Sequence, residues 1–374
     1  MKFDYLIVGA GYAGSIIAER IATQLDKRCL IVEQRNHIAG NAYDYYDENG
    51  ILVHKYGPHI FHTSNKQAWL YLSQFTEWNT YVHHVNAVIE GKQVPVPFNF
   101  NSIASLFPPK YAERLEALLL ENYGFGQKIP ILKLRETNNK DLKFLADYIY
   151  ENVFLGYTTK QWGYKPEELD PSVSGRVPVY LSRDNRYFQD KYQGIPKQGY
   201  TEMFKRMIDH PKIHLLLNTN YKDIIDDIKF DKIVFTGALD DFFDNVHGVL
   251  PYRSLNFDMK NFSKERFQSV AQMNFPNNYD YTRITEFKHI TQQKADSTTV
   301  AFEYPCEHIP GQNVPYYPIP KSESHEQFDK YLKEAKKQKN AYFVGRLADY
   351  KYYNMDQITI TALQKFEKII AKNK

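Results

Sequence analysis

Six residues near the start of the chain have the types and spacing of a phosphate-binding turn. The run Gly9-Ala10-Gly11-Tyr12-Ala13-Gly14 follows the GxGxxG pattern, and Glu33 lies 22 residues after Gly11 (33 − 11). Glycine permits a tight turn and lets the backbone approach a pyrophosphate, the first N–H groups of a following helix attract phosphate, and a carboxylate at this distance can accept hydrogen bonds from a ribose. The pattern predicts a dinucleotide site. Its alternative is a glycine turn in an unliganded α/β domain.

The segment after Glu33 favours FAD over NAD. An acid, then Arg35, then the turn Ala39-Gly40-Asn41 resembles the second signature of the glutathione-reductase and amine-oxidase flavoproteins, in which further backbone amides contact the pyrophosphate. Ala39 replaces the first glycine of the usual Gly-Gly pair. An ordinary Asn-Gly turn is the alternative interpretation.

A parallel sheet is needed to position these residues. Lys2–Val8 and Arg28–Val32 are short and apolar, as buried parallel strands are, and apolar residues recur with helical spacing from Ala13 to Leu25. Near the other end of the chain, Ala341–Val344 predicts a further strand, which is followed by Gly345-Arg346 and a helix over 355–371. Flavoproteins of this class complete the cofactor site with such a segment, so we expect a nucleotide domain built from both ends of the chain.

The middle of the chain predicts a helical insertion and an antiparallel sheet. Helical periodicity runs through residues 102–155, whereas Val85–Pro97 and Thr282–Phe302 are strand-like, and Ile213–Leu217 and Lys232–Phe235 are expected to rejoin the nucleotide domain. The predicted fold class is mixed α/β, with a discontinuous Rossmann-like FAD-binding domain, a helical insertion and an antiparallel sheet domain. The predicted bounds are 1–82, 204–243 and 321–374 for the FAD domain, 99–183 for the helical domain, and 83–98, 184–203 and 244–320 for the sheet domain.

Charge and composition argue against several classes of partner. The 47 basic and 44 acidic residues give a net charge of +3 without a basic run, so we expect no nucleic-acid partner. Cys29 and Cys306 fit no metal or redox spacing, and His59 and His62 have no further ligand at a convincing spacing, so no metal is predicted. No apolar run approaches the ~18 residues of a membrane span. We therefore expect a soluble, cytoplasmic protein that does not bind a membrane.

Several strings in the chain are unusual in combination. They are GYTTKQWG at 156–163, YQGIP at 192–196, YTRI at 281–284, HKYGPHIFHT at 54–63 and GRLADYKYY at 345–353. Together they closely resemble bacterial UDP-galactopyranose mutases over nearly the whole chain. The resemblance implies an FAD-dependent isomerase that interconverts UDP-galactopyranose and UDP-galactofuranose, in which N5 of the reduced flavin attacks the anomeric carbon.

The resemblance also implies which residues act. Arg176, on a mobile loop, and Arg283 would clamp the departing diphosphate, because a guanidinium can pair with two phosphate oxygens. His62 would be a third catalytic residue, against the flavin. The implied substrate-binding residues are His83, Phe154, Tyr157, Trp162, Arg176, Tyr187, Asn274, Arg283, Tyr317 and Tyr352. The implied cofactor-binding residues are Gly9, Gly11, Tyr12, Ala13, Gly14, Glu33, Gln34, Asn41, His59, Ile60, Arg346, Tyr353, Asn354 and Met355.

Three positions depart from the family pattern. Asn354 stands where the family usually carries Asp, His83 or His84 aligns with an Asn near the sugar, and Pro58 replaces a small residue beside the flavin histidine. These departures leave open whether the sugar is galactose or N-acetylgalactosamine. An amine-oxidase-like oxidoreductase and a non-catalytic nucleotide-binding protein are the other hypotheses. A homodimer is expected from the family, and the sequence does not indicate the flavin reductant.

Overall fold

The computed structural model describes residues 2–175 and 177–373, and the side chains of residues 2–175 and 177–369. The chain folds into two compact units. The first comprises Met1–Tyr81, Asp190–Pro251 and Glu323–Lys374, and the second comprises Val82–Gln189 and Tyr252–Ser322.

A parallel five-stranded sheet lies at the centre of the first unit. Its middle strand is Lys2–Val8, which is buried on both faces, since Ile7 packs into one apolar cluster and Leu6 into another. Such two-sided burial explains the continuous apolar run in the sequence. In spatial order the strands are Ile213–Leu216, Cys29–Val32, Lys2–Val8, Lys229–Phe235 and Ala341–Phe343.

The two ends of the chain meet on one face of this sheet. The helix Tyr12–Gln24 begins within the glycine motif, directly after Gly11, and packs against the helix Met355–Asn373. The hydroxyl of Tyr12 donates a hydrogen bond to Sδ of Met355 at 3.4 Å. Further elements of this unit are the helices Lys66–Leu72, Tyr200–Ile208, Tyr221–Ile224, Leu239–Phe242 and Ser322–Lys337 and the strands Asp44–Tyr46, Leu52–His54, Phe61–Thr63, Trp78–Thr80 and Tyr192–Pro196.

A seven-stranded sheet forms one part of the second unit. Its neighbouring strands run antiparallel except for the pair Gln272–Asn274 and Val85–Ile89, which is parallel. In spatial order the strands are Tyr317–Pro318, Tyr252–Phe262, Thr298–Glu307, Arg283–Glu286, Gln272–Asn274, Val85–Ile89 and Lys92–Val96.

Helices form the other part of the second unit. Leu142, Leu145 and Ile149 lie on one face of the helix Lys140–Ile149 and are fully buried, which is the 3.6-residue periodicity seen in the sequence. A π-helical turn over Tyr150–Leu155 joins this helix to the next. The other helices of this unit include Phe100–Leu106, Pro109–Tyr123, Ile131–Leu134, Gly156–Trp162, Pro171–Gly175 and Phe287–Thr291, and a short hairpin pairs Lys128–Ile129 with Val179–Tyr180.

The predicted fold class is confirmed, and one predicted element is wrong. Strands 213–216 and 229–235 join the parallel sheet, as the sequence predicted. The segment Thr282–Phe302 is not continuous β structure, because the helix Phe287–Thr291 interrupts it where the buried ammonium group of Lys288 donates to carbonyl oxygens of Glu265 and Ser297. The three-domain division stays a prediction; residues 190–203 and 244–251, assigned to its sheet domain, belong to the first unit.

Gly14 provides a test of the packing at the glycine turn. A Cβ atom on Gly14 would lie 1.9 Å from the carbonyl oxygen of Gly9, whereas one on Gly11 would meet its nearest atom at 3.6 Å. Gly14→Ala should therefore lower the free energy of unfolding by about 1–3 kcal/mol, the usual cost of overpacking. Gly11→Ala, in the same turn, should change it far less. Urea unfolding of the cofactor-free proteins measures both, and equal stabilities would contradict the predicted clash.

Candidate cofactor and nucleotide sites

Two backbone turns lie against each other at the carboxyl end of the first strand. The N–H of Ala39 donates to the carbonyl oxygen of Ala10 at 2.9 Å, and a Cβ atom on Gly40 would lie 3.0 Å from Cα of Gly11. Gly9 has φ +102°, and Ala39, in the position of the usual first glycine, has φ +72°. Because Gly11 and Gly40 have no side chains, the backbone amides of both turns can approach one ligand.

Glu33 holds the first turn in place. One carboxylate oxygen accepts from the N–H of Ala10 at 2.9 Å and the other from the N–H of Arg35 at 2.9 Å. Each oxygen keeps a further lone pair with which a ribose hydroxyl can bond. The guanidinium of Arg35 donates to Oδ1 of Asn41 at 3.0 Å and lies 4.5 Å from the ring centre of Tyr56. The two turns and this buried carboxylate fit the diphosphate and ribose of FAD.

The C-terminal segment adds residues to the same unit. Arg346 donates to the carbonyl oxygen of Tyr353 at 2.7 Å and lies over the ring of Tyr352 at 4.9 Å. Burial, with Asp349 nearby, raises the pKa of Tyr353 to about 12, so this phenol stays protonated at neutral pH. The N–H of Asn354 donates to Oε1 of Gln357 at 2.8 Å, just before the helix that begins at Met355.

Three histidines lie in or beside the loop between the strands Leu52–His54 and Phe61–Thr63: His54 ends the first strand, His59 is in the loop and His62 is in the second strand. His54 is fully buried, and its Nδ1 accepts from the N–H of His59 at 2.9 Å. Burial lowers the pKa of His54 to about 4, so its ring is neutral at pH 7. Nδ1 of His62 lies 2.8 Å from Oδ2 of Asp190, whose other oxygen accepts from Ser64 at 3.1 Å. A carboxylate on Nδ1 selects the neutral tautomer whose Nε2 carries no proton.

In the second unit, a row of polar side chains crosses three neighbouring strands. Asn274 is opposite Arg283, and Arg283 is opposite Glu303, so the three side chains lie on one face of the sheet. Nε of Arg283 donates to Oε2 of Glu303 at 2.7 Å, and Glu303 is 1% exposed. Burial alone would lower the pKa of Arg283, but Glu303, helped by Tyr157 and Tyr317, raises it, so the guanidinium stays charged.

Aromatic residues surround this row. Tyr157 and Tyr317 lie close enough to Arg283 to affect its pKa, and the ring of Trp162 lies 5.8 Å from that of Tyr317. Phe154 is buried in the π-helical turn that precedes Tyr157. The arrangement places a fixed cation among flat rings, which suits a nucleoside diphosphate.

Asn274 and His83 contribute an amide and an imidazole group to the predicted substrate residues of this unit. Nε2 of Gln272 donates to Oδ1 of Asn274 at 3.0 Å, which leaves the amide nitrogen of Asn274 as the end that can donate to a ligand. His83 is buried, accepts from the N–H of Tyr187 at 2.8 Å through its carbonyl, and has its ring 5.6 Å from the Tyr187 ring.

The structure thus brings together part of the predicted set and reveals residues that the sequence did not indicate. Arg176 lies outside the described residues. The predicted cofactor residues and Tyr352 lie in the first unit, and the other described substrate residues lie in the second. The sequence did not indicate the partners of three predicted residues, which are Asp190 for His62, Gln272 for Asn274 and Glu303 for Arg283. Asp190 and Glu303 are distant in the chain from the residues that they hold, whereas Gln272 is only two residues from Asn274 and matches no motif.

Comparison with known proteins decides the family. A family model described as UDP-galactopyranose mutase matches residues 152–352, and one described as an NAD(P)-binding Rossmann-like domain matches residues 7–75. The UDP-galactopyranose mutase of Mycoplasma genitalium is 35% identical over 99% of this chain and 95% of its own. This chain belongs to the UDP-galactopyranose mutase family. It is therefore an enzyme of the mutase class.

Other similarities show the breadth of this mutase family and of its fold. The dTDP-fucopyranose mutase of Escherichia coli is 32% identical and covers 99% of both chains. A crystal structure of reduced UDP-galactopyranose mutase has a TM-score of 0.76 at 14% identity and covers 100% of this chain and 94% of that one. A structure of putrescine oxidase has a TM-score of 0.58 at 10% identity, with 99% of each chain covered, which is likeness of fold alone. In the part of the mutase that the structure describes, no helix is long and apolar enough to cross a membrane.

The burial of His54 predicts how stability depends on pH. The folded chain protonates His54 near pH 4, whereas the unfolded chain does so near 6.5, so the unfolded state binds the extra proton as the pH falls between these values. The free energy of unfolding should fall across this window, by about 3 kcal/mol from His54 alone. His54→Asn, whose Oδ1 can still accept from His59, should flatten this part of the profile.

The exposed His84 supplies the control for this measurement. Urea unfolding between pH 7 and pH 4 should give the same profile for His84→Asn as for the unaltered protein. An unchanged profile in His54→Asn would show that His54 is not the source of the dependence.

Proposed function

We propose that the chain is an FAD-dependent isomerase that interconverts UDP-galactopyranose and UDP-galactofuranose. The observation that carries this proposal is Arg283, whose side chain is 19% exposed and is held at Nε by the buried Glu303, beside Tyr157 and Tyr317. With Nε so engaged, the two terminal nitrogens of Arg283 remain for a bidentate contact with phosphate oxygens. A largely buried cation of this kind stabilises the negative charge that a departing diphosphate gains.

Reduced FAD, when bound, would supply the nucleophile for the anomeric carbon. The chain's own part is to hold the cofactor, to orient the sugar nucleotide and to neutralise the diphosphate. We assign cofactor binding to the two backbone turns, Glu33, and the segment around Arg346 and Met355. His59 and His62 are assigned to the flavin side, where Asp190 fixes the tautomer of His62.

The second unit supports assignment of the nucleotide to Tyr157, Trp162 and Asn274. Flat aromatic faces can hold a pyrimidine, and the amide nitrogen of Asn274 offers a donor to a base carbonyl. Uracil and thymine present the same carbonyl and N–H groups on their pairing edge, so this donor fits both. Because a full-length relative is named for a dTDP-sugar, the nucleotide and the sugar have to be measured together.

The first test is turnover that depends on reduction of the cofactor. The purified protein should be yellow and contain non-covalent FAD. Under anaerobic conditions it should convert UDP-galactofuranose to UDP-galactopyranose after dithionite is added, and scarcely before. Chromatography of the sugar nucleotides measures conversion, with UDP-N-acetylgalactosamine and dTDP-fucopyranose as parallel substrates. Oxidation of one NAD(P)H per sugar converted would favour the oxidoreductase hypothesis.

The second test concerns the diphosphate clamp. Arg283→Ala should lower kcat by about 10²-fold or more, because contacts to a leaving group strengthen as its bond breaks. Arg283→Lys should restore little, since an ammonium offers a point charge in place of a planar fork. Arg176→Ala should behave similarly and, from its proposed place on a closing loop, should also raise the substrate Kd.

Arg266, exposed in the same unit, gives the matched control for this test. Arg266→Ala should keep wild-type turnover. The flavin content of all these variants should equal that of the unaltered protein, because neither Arg283 nor Arg176 lies in the cofactor turns. Wild-type turnover in Arg283→Ala with flavin fully bound would refute the clamp.

A further inference from the structure

Lys160 makes three hydrogen bonds to one short segment of the chain. It lies on the helix Gly156–Trp162, and its half-buried ammonium group donates to the carbonyl oxygens of Phe275, of Tyr279 at 2.9 Å and of Tyr281 at 3.2 Å. An ammonium group has three N–H donors, so this side chain uses its whole donor capacity on residues 275–281.

The segment that Lys160 holds is the turn between two strands of the proposed nucleotide site. Residues 275–282 connect Gln272–Asn274 to Arg283–Glu286, and the N–H of Phe275 donates to the carbonyl oxygen of Thr282 at 2.8 Å. The turn therefore begins directly after Asn274 and ends directly before Arg283, and its shape determines how these two side chains are presented.

A second contact, independent of Lys160, joins the same turn to the same helix. A Cβ atom on Gly156 would lie 2.5 Å from the carbonyl oxygen of Pro276, so only glycine lets the turn pack this closely. The side-chain amide of Asn277 also donates to the carbonyl oxygen of Asn152 at 3.3 Å. At the other end of the helix, Arg253 donates to the carbonyl oxygens of Lys160 and Gln161. The helix is thus fixed at both ends, and Lys160 fixes its middle.

We propose that Lys160 is a positioning residue for the nucleotide, which holds the 275–282 turn against the helix so that Asn274 and Arg283 keep their spacing from Tyr157 and Trp162. The inference rests on the proposed function, because it assigns a nucleoside diphosphate to these four side chains. Lys160 itself donates to carbonyl oxygens of the turn, so its effect on the ligand is indirect.

The electrostatic environment of Lys160 gives the inference a pH signature. Burial lowers the pKa of Lys160 to about 8, against the opposing effect of Asp280. The titratable or charged groups on the neighbouring elements include Tyr279 and Tyr281 of the turn, Tyr157 of the same helix, Arg253, Arg283, and Glu303, Tyr304, Cys306 and Glu307 of the strand Thr298–Glu307. Above pH 8 the amine has only two N–H donors and no charge, so the turn loses part of its anchor.

The test measures UDP binding to the FAD-containing protein by calorimetry at pH 7 and pH 9. In the unaltered protein the Kd for UDP should rise about tenfold as Lys160 loses its proton, the scale of one charge-assisted hydrogen bond. Lys160→Met should have this weaker Kd at both pH values. Lys160→Arg keeps its charge at pH 9, so its Kd should change little between the two.

Amide hydrogen exchange and one control variant complete the experiment. In the absence of nucleotide, amide exchange in residues 275–282 should be faster in Lys160→Met than in the unaltered protein. Lys260 is an exposed lysine of the same unit that pairs with Asp258, so Lys260→Met should change neither the exchange nor the Kd for UDP. Exchange that increases while the Kd of Lys160→Met stays at the wild-type value overturns the positioning role. If the unaltered protein does not bind UDP, both this inference and the proposed function are wrong.

If Lys160→Met does not fold, the Kd of Lys160→Arg for UDP at pH 7 and pH 9 provides the test. A tenfold rise in that Kd, like the rise expected for the unaltered protein, would overturn the inference.

Discussion

The ion pair between Arg283 and Glu303 is the interaction around which the candidate nucleotide site of the second unit is arranged. Burying a guanidinium costs free energy unless a carboxylate compensates it, and removing either partner would leave an uncompensated charge inside the sheet. The antiparallel register supplies the compensation by placing the two residues opposite each other on neighbouring strands. The neighbouring tyrosines and Asn274 are then arranged around a cation whose position is already fixed, so the site is organised before a ligand arrives.

The candidate cofactor site of the first unit is organised differently, because close approaches of the main chain determine its shape. At Gly14 a side chain would collide with the carbonyl of Gly9, and at Gly11 and Gly40 the main chains come close enough for both turns to face one ligand. Glu33 then ties the first turn to the end of the second strand by accepting from the N–H of Ala10, while its other oxygen accepts from the nearby N–H of Arg35. Here the geometry depends on residues that are small or that bond to the main chain.

This difference explains how much the sequence could predict. The glycine turn, its flanking strand and helix, and Glu33 lie close together in the sequence, so the sequence alone predicted them. The C-terminal strand and helix were likewise predicted from local sequence. Glu303 is 20 residues from Arg283, Asp190 is 128 residues from His62, and the carbonyl partners of Lys160 are 115 to 121 residues away. Such pairs are set by strand register and tertiary packing, which a single sequence does not display. The helix that interrupts 282–302 was missed for the same reason, since the carbonyl of Glu265 that helps to bury Lys288 lies 23 residues away.

The π-helical turn at Tyr150–Leu155 sets the rotational phase of everything that follows it in the helix. Each residue of an α-helix turns the chain by about 100°, and a π turn accommodates one residue more than regular α-helical winding would. If the same six residues wound as regular α-helix with none deleted, the extra residue would rotate Tyr157 and Trp162 by roughly a quarter of a revolution relative to the sheet. The aromatic rings would then face away from Arg283 although every side chain of the site was still present. The winding of this one turn is therefore as much a determinant of the site as the identity of its residues.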